Sequence, residues 1–400
     1  MKSFSLLQWM VIIILSLLTA LEPLSIDLYL PGFIKMSEYF NTPVSAIQIS
    51  LSTFLAGFAI GQLIWGPLAD KYGRKKPILF SLLIFSLASL GCIFTKTVEQ
   101  LWVVRFIQAI GGCAGVVISR AVVTDYFERS KTLKIFSLLA LIMGIAPILA
   151  PSIGNGILKI FDWEGLFISL AGLGFLLFLL VLLLLPETLK KQDIRKQTNV
   201  FRDYLEILKV KKFVIYSLLA GIVNGALMIY VANGPFLIME KAGYSGNMFS
   251  LIFSINALGL MIGSFLTNYI QRYLSTPKIV KWALMGMSVV SVLLLISMYL
   301  DVSMVFIFVL LFFYIFPIGI LFPTTTELAI TPFIHNSGTA SSLFGSIQLA
   351  VAFICTVIAS FIQDGSITAV GLSFFLCSLS AFILVFSKFN LQEKVQSESF

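Results

Sequence analysis

Four charged side chains stand inside long apolar stretches of this sequence: Glu22 and Asp27 in the first stretch, Arg105 in the fourth, and Arg120 near the inner end of that same fourth stretch. A charge at mid-bilayer costs roughly 2.5–3.5 kcal/mol on insertion scales, so each calls for a partner, an aqueous cavity or a task. At about 1.5 Å of rise per residue, Asp27 lies ~27 Å along its helix from the inner face and Arg105 ~6 Å below the outer face, so the two reach similar depth. That pairing suggests a carboxyl that takes up and releases a proton in a shared central cavity. Low dielectric favours the neutral acid and a nearby guanidinium favours the carboxylate, so opening and closing the cavity moves the balance. A structural ion pair is the plainer alternative. Glu22 is five residues from Asp27, a rotation of about 140°, so the two share no face unless Pro23 distorts the segment. It is open to three readings: recognition of a cation, a second proton site, or a local pair.

A second constellation is the polar run Gly66-Pro67-Leu68-Ala69-Asp70-Lys71-Tyr72-Gly73-Arg74-Lys75-Lys76 between the second and third apolar stretches. One acid, turn-permitting glycines and a cation cluster read as a tight hairpin on the cytoplasmic side. Further polar groups within apolar stretches are Tyr29, Gln108, Asn224, Tyr230, Asn233, Asn256 and Gln348. They are candidates for contact with a small-molecule substrate, and the amides serve equally well as glue between helices. No Ser/His/Asp set, phosphate-cradling glycine loop or cysteine cluster is present, so catalysis and ATP-driven work find no support, and no cofactor is implied. His335 is the lone histidine and makes no metal site; a loop position predicts ordinary solvation. Cys92, Cys113, Cys355 and Cys377 lie in apolar segments at no metal-ligand spacing, which predicts small apolar packing.

The elements that position these groups follow from composition. With 58% hydrophobic residues, 12% charged and a mean hydropathy of +1.00, the chain cannot cover a water-facing surface. Stretches of about 20 apolar residues, each long enough to span a hydrocarbon core of about 30 Å, recur twelve times. They centre on 9–32, 45–66, 77–96, 100–122, 135–158, 164–186, 212–236, 247–270, 279–300, 304–325, 338–361 and 368–388. The expected fold class is therefore an all-α membrane protein of twelve transmembrane helices. The first residues have the outline of a signal peptide, but Thr19-Ala20-Leu21-Glu22 lacks a small-x-small cleavage site, which predicts an uncleaved first helix.

A net charge of +8 and a pI near 9.2 would suit a nucleic-acid partner, but the cations argue otherwise by position. With the N-terminus inside, only Lys35, Lys96, Lys159 and Lys241 fall outside, while Lys71, Arg74, Lys75, Lys76 and the basic run from Lys190 to Lys212 fall inside. The positive-inside rule thus predicts two cytoplasmic termini and no nucleic acid. Residues 187–212 form the longest connection; they predict a solvated cytoplasmic linker between bundles 1–186 and 213–400. A shift of 198 places Leu68 on Leu266, Asp70 on Asn268 and Arg74 on Arg272, a trace of a two-fold repeat. The spaced pairs Gly57/Gly61, Gly111/Gly115, Gly221/Gly225 and Gly259/Gly263 let backbones approach, either for packing within each half or for a moving contact.

The run at 66–75 resembles the loop motif of the major facilitator superfamily, Gly-x-x-x-Asp-x-x-Gly-Arg-(Lys/Arg), without a gap. Ser25-Ile26-Asp27-Leu28-Tyr29-Leu30-Pro31 is similar to the helix 1 signature of its drug:proton antiporters of the Bcr/CflA, or bicyclomycin-resistance, branch. Arg105-Phe106-Ile107-Gln108-Ala109-Ile110-Gly111 resembles the motif with an intramembrane arginine, and Gly144-Ile145-Ala146-Pro147 through Pro151 to Gly154 resembles the antiporter motif of helix 5. Asn155 stands there in place of a second adjacent glycine. Asn233-Gly234-Pro235-Phe236 is similar to the break in helix 7, and Gly338 to Leu343 to the opening of helix 11.

The resemblance implies two pseudo-symmetric six-helix bundles in the bacterial inner membrane and a monomer. It implies proton-driven export of small hydrophobic or cationic compounds, with Asp27, Glu22 and Arg105 coupling protons. Gly66, Asp70, Gly73, Arg74, Arg120, Gly144, Pro147, Pro151 and Gly154 would gate, with Asp70 docking at the start of helix 11. The rivals are a dedicated exporter of a metabolite such as a siderophore or amino acid derivative, a proton symporter, and a receptor or scaffold that does not transport.

Overall fold

The structure is a computed structural model and describes residues 5–189, 200–333 and 337–397. His335 and the linker residues Lys190, Lys191, Asp193, Arg195 and Lys196 lie outside the described residues. Among the described residues there are no strands, and twelve helical segments are long and apolar enough to cross a membrane. These segments leave large apolar side chains such as Leu183, Trp282 and Phe361 exposed, which suits a lipid surround.

The chain divides into two compact units, residues 1–202 with 245–251, and residues 203–244 with 252–400. The first unit begins with α1 (Leu6–Asp27), a 3-10 turn (Leu30–Gly32) and the short α2 (Phe33–Phe40). There follow α3 (Val44–Tyr72), α4 (Lys75–Ile93), α5 (Val98–Tyr126), α6 (Arg129–Ile160) and α7 (Glu164–Leu184). Within this unit α1 packs against α5, α6 and α7, α3 against α5, and α4 against α5 and α7. Amphipathic α8 (Val200–Leu208) follows α7 in the chain, and the boundary between the two units falls within it.

The second unit contains α9 (Lys211–Pro235), most of α10 (Gly246–Ile270), α11 (Thr276–Tyr299), α12 (Met304–Ile330), α13 (Ser337–Ile362) and α14 (Ile367–Ser397). In it α9 packs on α12, α13 and α14, and α11 on α12 and α14.

The spaced glycines pack inside the units. Gly57 meets the Phe106 carbonyl and Gly61 meets Cys113, which is what lets α3 lie directly on α5. Gly221 faces Val351 and Gly225 faces Cys355, joining α9 to α13 in the same way.

Two expected breaks differ from the sequence reading. The run at 66–76 is mostly helix: α3 continues through Gly66 and Pro67 to Tyr72, and the reversal is confined to Gly73 and Arg74. Pro67 is tolerated because it removes one N–H without stopping the turns on either side. At Gly234-Pro235-Phe236 the helix does not end; it widens into a π-helical segment, Phe236–Lys241, that absorbs the proline's missing donor.

Candidate functional site

Helix α1 stops at Asp27 because Pro31 and the 3-10 turn behind it cannot extend the helical ladder. Its last carbonyls therefore lose their intrahelical donors. Leu28 N–H still reaches Leu24, but the Ser25 carbonyl accepts instead from Arg105 Nη2 at 3.0 Å. Arg105 thus caps the C-terminal end of α1, where a positive charge complements the helix dipole. Its Nη1 donates to Gln108 Oε1 at 2.5 Å, Gln108 Nε2 donates to Ser89 Oγ at 2.6 Å, and the Ser89 hydroxyl donates to the Phe85 carbonyl at 2.7 Å. Three rings close around the guanidinium, Tyr29 and Phe54 with centroids at 4.3 and 4.4 Å and Phe167 at 5.8 Å. A desolvated contact of this type is worth about 2 kcal/mol. The Tyr29 hydroxyl donates to Ser50 Oγ at 3.3 Å, since the Ser50 proton is committed to the Ile47 carbonyl at 2.6 Å.

This arrangement departs from the expected shared cavity. Arg105, Gln108 and Tyr29 are each 0% exposed, so none of the three lines an open site here, and Tyr29 and Gln108 serve the arginine. No ion pair joins Asp27 to Arg105 among the described residues; the two are linked only through the end of α1. Nε of Arg105 is sealed without a partner.

Asp27 is 4% exposed and has no hydrogen bond or ion pair among the described residues. Neither of its oxygens is among the fully sealed atoms without partners, so the remaining exposure falls on the carboxyl. Its electrostatic neighbour is Glu22, not Arg105, and Glu22 in turn faces Arg120. Glu22 is partly exposed and Arg120 exposed. The five-residue offset that separates the two acids around α1 does not isolate them in the field. Gly154 of α6 comes so close to the Leu28 carbonyl that a Cβ would not fit, which brings the glycine- and proline-bearing α6, continuous through Pro147 and Pro151, against the acid's end of α1. Asn155 Nδ2 donates to Asn247 Oδ1 at 2.7 Å, and Lys159 Nζ to the same oxygen at 3.0 Å, all within the first unit.

The inner hairpin forms a charge network. Arg74 is buried, and its Nη1 and Nε pair with Asp70 at 2.5 Å and Asp125 at 2.8 Å. Burial opposes its charge, but the two carboxylates outweigh that and hold the guanidinium above its ordinary range. Glu187 then closes the turn: its oxygens accept from the backbone N–H of Arg74 at 2.8 Å and Lys75 at 3.1 Å, and from Thr188 and Leu189, each at 3.0 Å. The first two are orphan donors at the start of α4, capped by an acid more than a hundred residues away. Burial pushes the Glu187 carboxyl up, but the four amides prevail and hold it below the usual range. Gly73 at φ +89° leaves the space; a Cβ there would meet Glu187 Oε2 at 2.5 Å.

Asp125 and Glu187 carry roles that the sequence did not assign. Their signals were an acid in the last turn of α5 and the Pro186-Glu187-Thr188 step after α7. Arg120 stands apart from this network, facing Glu22.

In the second unit Asn256 Nδ2 donates to Tyr230 Oη at 2.8 Å, and Tyr230 stacks on Phe253 at 5.4 Å. Asn233 turns back to the Ile229 carbonyl at 2.9 Å, Asn224 is buried, and Gln348 is partly exposed on α13.

The twelve spans, the Arg105 clamp at α1 and the hairpin network occur together with a match to the Major Facilitator Superfamily over residues 15–356. The chain belongs to that superfamily. It is 34% identical over 346 residues to the uncharacterized MFS-type transporter YdgK of Bacillus subtilis (strain 168), covering 85% of this chain and 86% of that one. It is 29% identical to the bicyclomycin resistance protein homolog of Haemophilus influenzae, covering 88% and 89%. To the multidrug resistance protein MdtL of Shewanella oneidensis it is also 29% identical, covering 95% and 96%. A crystal structure of the D-xylose-proton symporter superposes with a TM-score of 0.78 over 94% of this chain and 97% of that one at 15% identity, a likeness of fold alone. As a superfamily member the chain is a multi-pass membrane protein of a transporter fold.

Proposed function

We propose that this chain is a proton-coupled antiporter that exports small hydrophobic or cationic compounds across the bacterial inner membrane. The names of its relatives, a bicyclomycin resistance protein homolog and a multidrug resistance protein, support the substrate class. The observation that carries proton coupling is the Asp27 carboxyl at the end of α1, which has Glu22 as its acidic neighbour and, among the described residues, no hydrogen-bond partner and no paired cation.

In this reading Asp27 carries the exchanged proton and Glu22, facing Arg120, either joins it or meets a cationic substrate. Arg105 holds the end of α1 in place with a fixed charge of its own. The two bundles, 1–186 and 213–400, joined by 187–212, alternate access to the substrate, and the polar groups Tyr230, Asn256, Asn224, Asn233 and Gln348 are the C-terminal half's candidates for contacting it. Asp70, Arg74, Gly66 and Gly73 form the inner gate; Gly144, Pro147, Pro151 and Gly154 shape α6 beside Asp27. The chain acts as a monomer with both termini in the cytoplasm, as the cation distribution supports. Each proton charge that crosses supplies about 2.3 kcal/mol per 100 mV.

The test is the direction of proton movement in energised inverted vesicles that contain the full chain. Adding a lipophilic cationic dye should release protons from the vesicle lumen as dye accumulates there. Proton movement into the lumen together with the dye would mean symport. Movement with neutral metabolites but with no dye would favour a dedicated exporter.

A further inference from the structure

Helix α8 carries an apolar edge that no described part of the chain covers. On a wheel of about 100° per residue its apolar residues form one sector, with Ile207 at one margin and Leu208 and Leu205 towards the other. The protein covers only the first margin: Ile207 is 3% exposed, whereas Leu208 is 39% and Leu205 62% exposed. A helix of nine residues is marginal in water, and one buried isoleucine is a small anchor for it. A second apolar surround, at Leu205 and Leu208, supplies what is missing.

The charges around that edge are sorted by sign. Arg202 and Lys209 follow Leu205 around the wheel by about 60° and 40°, while Asp203 and Glu206 lie farther round, towards Ile207. Arg202 and Lys209 are exposed, and so are Lys211 and Lys212, which open α9. Lys209 Nζ pairs with Glu206 at 2.8 Å on the surface, an exposed contact of small worth that a headgroup can replace. The segment as a whole keeps an excess of positive charge beside its uncovered edge.

The connection to α9 sets the height of this edge. Only Lys209 and Val210 separate the two helices, at most about 7 Å of chain. Val210 takes extended angles, φ −80° and ψ 100°, which end one helix and let the next start in a new direction. The span that follows, Lys211–Lys241, has 31 residues, about 45 Å at 1.5 Å per residue, the thickness of a bilayer from headgroup to headgroup. Helix α8 therefore lies at headgroup level, where an apolar edge bordered by cations meets both of its complements, acyl chain and phosphate.

We propose that α8 is an interfacial anchor for acidic phospholipid. Leu205 and Leu208 enter the acyl boundary of the adjoining leaflet, and Arg202, Lys209, Lys211 and Lys212 hold its phosphates. The order of α8, and with it the seat of the first turn of α9, then depends on the charge of the membrane; a neutral leaflet offers the apolar contact alone.

The experiment uses the full chain in nanodiscs of phosphatidylcholine alone or mixed equally with phosphatidylglycerol. Hydrogen exchange at the Tyr204–Leu208 amides should be at least about fivefold slower in the mixed discs, the share of a single cation at an acidic surface, and added salt should erase the difference. The triple variant Arg202→Gln/Lys211→Gln/Lys212→Gln should exchange alike in both discs. Leu205→Ser/Leu208→Ser should exchange fast in both, with unchanged exchange in α9 from Val214 onward as the sign of an intact fold. A benzophenone side chain in place of Leu205 should give lipid adducts on irradiation, and one in place of Asp203 should give none. Equal exchange of the wild type in the two discs, an undiminished response to phosphatidylglycerol in the triple variant, or cross-links from position 205 to a segment of this chain instead of lipid would overturn the proposal. None of these readouts involves transport, so the outcome is independent of whether the chain exports drugs.

Discussion

Gly73→Ala is the sharpest perturbation of the inner hairpin. Gly73 has φ +89° and ψ 171°, a region essentially reserved for glycine, so alanine stores about 1–3 kcal/mol of backbone strain. Its new Cβ would also stand 2.5 Å from Glu187 Oε2 and drive the carboxylate off the amides of Arg74 and Lys75. Glu187 is exposed and water replaces part of what is lost, so the cap is worth the usual about 0.5–2 kcal/mol. The assay is hydrogen–deuterium exchange on the full chain in nanodiscs. Exchange at Arg74 and Lys75 should accelerate by about 2- to 30-fold in Glu187→Ala, the cap energy converted at 1.4 kcal/mol per decade. Gly73→Ala should accelerate it by at least as much, since backbone strain adds to the lost cap, and the double variant should show no more than Gly73→Ala alone, because the two substitutions remove the same contact. Unchanged protection in Gly73→Ala, or additive acceleration in the double variant, would refute the reasoning.

Two further outcomes follow from the same geometry. The Glu187 carboxyl is held below its ordinary range, so its cap is fully present above the unfolded value of about 4.3 and is lost as pH falls through the lowered native value. Protection of the Arg74 and Lys75 amides, corrected for intrinsic exchange, should therefore hold from pH 7 to about 5 and decline below about 4.3, and Glu187→Gln should remove that decline. Gln108→Ala leaves a buried guanidinium nitrogen without its acceptor and should cost about 1.5–3 kcal/mol in thermal or denaturant unfolding, whereas Gln108→Glu, which keeps an acceptor, should retain more of the stability. Equal losses in the two variants would show that the arginine does not depend on that oxygen.

The spans were legible because each side chain in an apolar run reports directly on its solvent. The spaced glycines signalled a close backbone approach, for packing or for a moving contact; that Gly57 and Gly61 meet α5 within the first unit came from the structure. What the sequence could not carry was azimuth. Counting rise along helices set Asp27 and Arg105 at one depth, yet the arginine turns to the carbonyl that α1 abandons at Ser25 and to rings of Tyr29, Phe54 and Phe167. That choice depends on where α1 stops, which Pro31 decides from outside the helix. Glu187 was hidden for another reason: its partners are backbone amides, which leave no mark of residue type, and they lie over a hundred positions away. The hairpin motif was recognised while its helical continuation through Pro67 was not, since glycine, proline and charge together resemble a loop whether or not the turns persist.

Protons released when substrate binds test the central claim most directly. With the purified full chain in weakly buffered solution near neutral pH, adding a saturating lipophilic cation should acidify the medium in the wild type and leave it unchanged in Asp27→Asn, while Arg105→Lys should still release protons. Undiminished release from Asp27→Asn would contradict the account, because the carboxyl at the end of α1 would then not be the group that gives up its proton to cargo.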